Sequence, residues 1–151
     1  MFRWVFAALL LAAPATASDL PETLRAEIGK AQEMCREIEG GSLTLRRGAL
    51  TRADLVGDGS ADNWVLDQAY FDCSSAASLY CGSGGCGVFF AVRNTSRMVL
   101  AQGWALAQED GRRVVWLRVH GSGCGGTNLD ACFQKLVWNG QSFTLFPPQG
   151  G

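Results

Sequence analysis

Gly87-Val88-Phe89-Phe90-Ala91-Val92-Arg93 is followed, across Asn94-Thr95-Ser96, by Arg97-Met98-Val99-Leu100-Ala101-Gln102. Two apolar runs of strand length, joined by turn-forming residues, predict an antiparallel pair. The same grammar continues downstream. Arg112 to His120 follows Asp110-Gly111, and Cys132 to Trp138 and Ser142 to Phe146 flank Asn139-Gly140. Asp-Gly and Asn-Gly can take positive φ at both central positions of a tight hairpin, which these junctions require. Val114 to Val119 is apolar at nearly every position, predicting a central strand covered on both faces, one of them by a helix. Upstream, Leu43 to Leu45, Ala49 to Val56 and Trp64 to Leu66 read as shorter strands.

The helix comes first. Between Asp19 and Glu39, Leu20, Leu24, Ile28, Ala31, Cys35 and Ile38 recur at steps of three or four and so share one face. Asp19 is placed to cap the start, Pro21 suits the first turn, and Gly40-Gly41 ends the helix. The fold class expected is α+β: an N-terminal amphipathic helix packed on an antiparallel β-meander of about five to seven strands, closed by three disulfides.

Residues 1–17 read as a secretory signal peptide, with Arg3 as its basic start, an apolar run from Trp4 to Ala13, and Ala15-Thr16-Ala17 as a small-x-small cleavage site. The apolar run falls well short of the roughly 20 residues needed to span a bilayer. The mature chain, 18–151, is expected to form a single disulfide-stapled domain in the periplasm or outside a bacterial cell, with no membrane span after cleavage. It carries twelve basic against fourteen acidic side chains and no basic run, which leaves no electrostatic footprint for nucleic acid.

Six cysteines in an exported chain of this size imply three disulfides rather than zinc, because tight Cys-x-x-Cys pairs are absent. Fifteen connectivities are available. Local closure across glycine-rich segments favours Cys81–Cys86 and Cys124–Cys132, leaving Cys35–Cys73 to tie the helix to the sheet. The rival arrangement joins Cys73 to Cys81 and Cys35 to Cys86.

Asp54-Leu55-Val56-Gly57-Asp58-Gly59-Ser60-Ala61-Asp62 resembles the calcium loops of dockerin and FG-GAP repeats. Position by position, that resemblance makes Asp54, Asp58 and Asp62 the candidate calcium ligands, with Ser60 offering its carbonyl. Val56 supplies no oxygen at the third ligand position, and Val65 stands where a bidentate acid would close the loop. An acidic β-turn without metal, whose aspartates accept from their own backbone amides, is therefore the preferred reading, and no other cofactor is expected.

The same loop, then Trp64-Val65-Leu66-Asp67, Cys73 and Cys81-Gly82-Ser83-Gly84-Gly85-Cys86, resembles a family of small exported alphaproteobacterial proteins of uncharacterised activity. His120 to Gly125 and Trp138 to Gly140 extend the likeness over most of the mature chain. The resemblance implies a bacterial periplasmic protein and no particular chemistry.

His120 is the chain's one histidine, and Ser122 stands two residues on, at the mouth of a glycine-rich loop. A nucleophilic serine needs a base and an orienting acid, and no Gly-x-Ser-x-Gly elbow exists here. No catalytic residue is assigned. The preferred function is a non-enzymatic binding module for a protein, peptide or glycan partner. The alternative is a small periplasmic hydrolase, or an inhibitor of one, using His120 and the adjacent loop. An outward cluster of Trp and Tyr beside the stapled loops would favour the first; an acid and a hydroxyl converging on His120 would favour the second.

Overall fold

The computed structural model describes residues 19–150. The signal peptide expected over 1–17 lies outside the described residues. The chain begins with α1 (Glu22–Glu37), followed by β1 (Leu43–Leu45), β2 (Leu50–Ala53), β3 (Asn63–Asp67), β4 (Phe71–Cys73), β5 (Cys81–Gly82) and β6 (Gly85–Val92). After these come β7 (Thr95–Ala101), β8 (Gly103–Glu109), β9 (Arg112–Arg118), β10 (Cys132–Trp138), β11 (Phe143–Leu145) and β12 (Gln149–Gly150). The class is α+β, with every strand pairing antiparallel.

The strands do not form one meander of five to seven. There are twelve among the described residues, in three sheets: β1 with β4; β2, β3, β6 and β7 with β5 also on β6; and β8, β9, β10 and β11 with β12 also on β10. Here the two larger ones are called the first and second sheets. Their inner faces enclose one core, in which Val88, Phe90, Val99, Val115, Leu117 and Leu136 are buried. On the other face of the first sheet, Leu24 and Ala31 of α1 meet Leu66, Phe71, Phe89 and Ala91.

The long strand covered on both faces is β6, not β9. Its side chains alternate, Val88, Phe90 and Val92 toward the second sheet and Phe89 and Ala91 toward the helix, and all five are buried. In β9, Val115 and Leu117 enter the core while Arg112 and Arg118 are exposed. Val114 is sheltered by side chains of its own sheet, Val137, Phe146 and Lys135, with which it lines a groove. The helix lies over β6 and its neighbour β3, which sends Val65 inward and Trp64 and Leu66 toward the helix, because these two strands carry bulky apolar groups on both faces.

Leu24, Ala31 and Cys35 of the expected helical face are fully or nearly fully buried. The helix is shorter than Asp19 to Glu39, and Asp19 does not cap it. Pro21 occupies the N-cap without a side-chain bond, while the Asp19 carbonyl accepts from the Trp64 indole N–H at 3.2 Å. At the other end Gly40, at φ +69°, turns the chain out of the helix.

β8 was not expected. Its Trp-Ala-Leu-Ala-Gln-Glu sequence favours helix by intrinsic propensity, and pairing with β9 along all seven residues overrides it. Disulfides join Cys35 to Cys73, Cys81 to Cys86 and Cys124 to Cys132.

Candidate functional site

The acidic turn precedes β3 and is organised by Asp54. One carboxylate oxygen accepts from the Gly57 amide at 2.6 Å and the Asp58 amide at 3.2 Å. The other accepts from the Gly59 amide and from Arg113 Nη2 of β9, both at 3.0 Å. Burial opposes the charge on Asp54; the Arg113 hydrogen bond, the amides of Gly57 and Gly59 and the guanidinium charge outweigh it, holding the carboxyl below its usual range.

Asp58 accepts from the Ser60 amide at 2.8 Å. Asp62 is exposed, and its carbonyl takes a hydrogen bond from Arg52 at 3.2 Å. Among the described residues no three His, Cys, Asp or Glu side chains gather with the geometry to hold a metal. Val56, the departure from the calcium pattern, packs against the core instead. An Asp54 carboxylate facing only N–H donors has no lone pair directed at a cation without first losing one. Added millimolar calcium is therefore expected to move the melting temperature by less than about 1 °C. A rise of many degrees, reversed by chelation and absent in Asp58→Ala, would restore the calcium reading.

His120 closes β9 and caps the short 3-10 turn Gly121–Cys124, its Nδ1 accepting the Ser122 amide at 3.1 Å. The same nitrogen lies 2.8 Å from Ser122 Oγ. No carboxylate hydrogen-bonds to the ring among the described residues. Sequence proximity alone brought this serine and histidine together, and it placed no acid with them.

The two stapled loops meet at this end of the molecule. The Cys81–Cys86 disulfide closes the β5–β6 hairpin, and Cys124–Cys132 closes the loop between β9 and β10. Gln102, at the corner where the chain passes from β7 to β8, donates from Nε2 to the Ser83 carbonyl at 3.0 Å and also to Asn128 Oδ1. One side chain thus ties the loops together. Within the second loop Asp130 accepts from the amide and the hydroxyl of Thr127, and these bonds hold its carboxyl below the usual range against slight burial. Gly121 is required there, because a Cβ would lie 1.7 Å from the Thr127 carbonyl oxygen. Leu129, next to Asn128 in this loop, is 89% exposed, and Leu100 of β7 is 55% exposed. Between the loops runs a shallow groove of about 260 Å³, lined by Gly84, Leu100, His120, Ser122, Gln134 and Pro148.

Among the described residues no Trp or Tyr platform stands beside these loops. Trp104 donates to Asp67 at 3.0 Å and meets Phe90 edge-on, and the Tyr80 hydroxyl donates to the Ala31 carbonyl at 2.7 Å. Trp116 donates to Glu109 at 2.9 Å, and Glu109 is in turn paired with Lys135 at 2.6 Å. Trp104, Tyr80 and Trp116 are thus spent on packing and satisfied at their polar tips. What the loops expose is aliphatic. Gln102, Leu129 and Arg113 were not singled out in the sequence. An isolated leucine inside Gly125-Gly126-Thr127-Asn128-Leu129-Asp130 was the one available signal.

The chain matches no protein-family model, and neither the curated proteins nor the solved structures compared with it yield a match.

Proposed function

We propose that the chain is a non-enzymatic binding module, working in the bacterial periplasm or outside the cell, that grips a protein partner with the paired disulfide loops. The carrying observation is Leu129, 89% exposed on a loop held by Cys124–Cys132, by Gln102 and by the Asp130–Thr127 bonds. A large apolar side chain presented by an already ordered loop loses little conformational entropy on docking, and that is how a small anchor becomes a hot spot. Three disulfides support a compartment that oxidises thiols. The resemblance to exported alphaproteobacterial proteins supports the periplasm. Among the described residues no helix is long and apolar enough to cross a membrane.

The test is affinity capture from periplasmic extract with partners identified by mass spectrometry. Leu129→Asp is expected to lower recovery of a specific partner about tenfold or more. Gln32→Ala, on the exposed side of α1, is expected to leave it unchanged. A partner retained equally by Leu129→Asp would remove the loops from the interface.

The hydrolase reading is favoured by one observation, the 2.8 Å approach of Ser122 Oγ to His120 Nδ1. Against it, that nitrogen already accepts a backbone amide, which describes a cap rather than a base poised for a substrate proton. A covalent fluorophosphonate adduct on Ser122 would reverse this preference.

A further inference from the structure

We propose that the outer edge of β7 docks an extended, acidic-and-apolar peptide segment of a partner as an added antiparallel strand. Strand β7 pairs with β6 from Val92↔Thr95 to Cys86↔Ala101, and among the described residues nothing pairs with its other edge. The pair closing a two-residue hairpin exchanges both main-chain hydrogen bonds. Alternation from Val92–Thr95 therefore turns the N–H and C=O groups of Ser96, Met98 and Leu100 away from β6. Such an edge is a template for a further strand unless it is blunted.

The two margins of the second sheet are treated differently. Pro147-Pro148 interrupts the margin formed by β11 and β12. The unpaired edge of β8 belongs to a strand whose large side chains, Trp104 and Leu106, pack against the core. On β7, by contrast, Met98 and Leu100 share one face and are 54% and 55% exposed.

Charge selects the occupant. Arg93, in the turn that opens the strand, and Arg97, within it, are both exposed, and neither has an ion-pair partner among the described residues. A second copy pairing antiparallel with β7 would set these arginines against their own kind. A segment alternating carboxylates with aliphatic groups would instead meet Arg93 and Arg97 with charge and cover Met98 and Leu100, while the main chain supplies the ladder. This site shares Leu100 with the groove between the loops but does not depend on Leu129, the residue that carries the paired-loop reading.

The experiment uses fluorescein-labelled seven-residue peptides titrated into the purified protein by fluorescence anisotropy. One alternates Glu with Val, and the other alternates Lys with Val. The Glu peptide is expected to bind at least about tenfold more tightly than the Lys peptide. Met98→Pro removes an outward N–H and leaves the β6 bonds in place. It is expected to weaken the Glu peptide about tenfold without changing the melting temperature. Arg97→Glu should erase the preference between the peptides. If Met98→Pro is poorly folded, Arg97→Glu carries the test alone. Leu129→Asp should bind the Glu peptide as the parent does, which separates this site from the loops. Equal affinity for both peptides, no binding of the Glu peptide, or a dimer that Met98→Pro dissociates would each overturn the proposal.

Discussion

Asp54→Ala is expected to lower stability by about 3 kcal/mol, on the order of 10 °C in melting temperature for a chain of this size. The carboxylate accepts three backbone amides and one guanidinium N–H. The amides belong to exposed residues and can turn to water. Arg113 is only partly exposed and can do so far less: Asp54 is its one side-chain hydrogen-bond partner among the described residues, and its Nε is buried with none. Removing Asp54 leaves that cation largely desolvated and unpaired, and this term dominates the loss. Asp54→Asn keeps one acceptor and should lose roughly half as much. The pH dependence follows from the depressed carboxyl. A group with a lower pKa when folded stabilises at pH above its unfolded value, and that contribution disappears as pH falls through the folded value. Wild type and Asp54→Asn should therefore converge in acid, below the usual carboxylate range. Thermal melts of both proteins from neutral to acidic pH check this. A constant difference in melting temperature at every pH would assign the effect to shape rather than to charge.

The second large effect belongs to the Cys35–Cys73 cross-link. It closes a separation of 38 residues between α1 and β4, whereas Cys81–Cys86 closes 5. Chain entropy then gives about 4 kcal/mol for the first and about 2 for the second. Replacing Cys35 and Cys73 together by Ala is expected to cost the larger amount. It should also speed amide exchange in α1 well beyond that in β6, since the helix rests on one sheet face and β6 is enclosed on two. Replacing Cys81 and Cys86 should cost about half as much and leave α1 exchange unchanged. Melts and hydrogen exchange of both pairs distinguish these outcomes. An unaltered α1 after loss of Cys35–Cys73 would mean that Leu24, Ala31 and their neighbours hold the helix without help.

Where a single local pattern dictated an element, the sequence made it plain. The three-to-four spacing of Leu24, Ile28, Ala31 and Cys35 marked the helix face, and Asp110-Gly111 marked the β8–β9 turn, where Asp110 and Gly111 take φ +49° and +76°. Beside the opening stretch, the turn proved to be Arg93-Asn94 rather than Asn94 to Ser96, since Thr95 already pairs with Val92. Elements that depend on long-range pairing were not legible. β8 has the composition of a helix and is a strand because β9 lies alongside it. The division of the strands between two facing sheets depends on the corner at Gln102, which no local periodicity encodes. The candidate site divides in the same way. The glycine-rich cysteine loops and the His120–Ser122 spacing could be seen along the chain. The bonds from Gln102 to Ser83 and Asn128 span 19 and 26 residues, and no residue type announces them.

The hydrogen bond between Asp54 and Arg113 crosses 59 residues of sequence and joins the edge of one sheet to a strand of the other. A contact of that range repays its loop-closure entropy only after both sheets exist, so it belongs to the late, native-side part of the folding reaction. The acidic turn can begin with local bonds from Gly57 and Gly59, as any Asx-rich turn can. It becomes fixed only when β9 has arrived. The Asp54–Arg113 bond therefore works as a latch on the unfolding rate: weakening it should hasten opening of the seam between the sheets while leaving the speed of folding nearly unchanged.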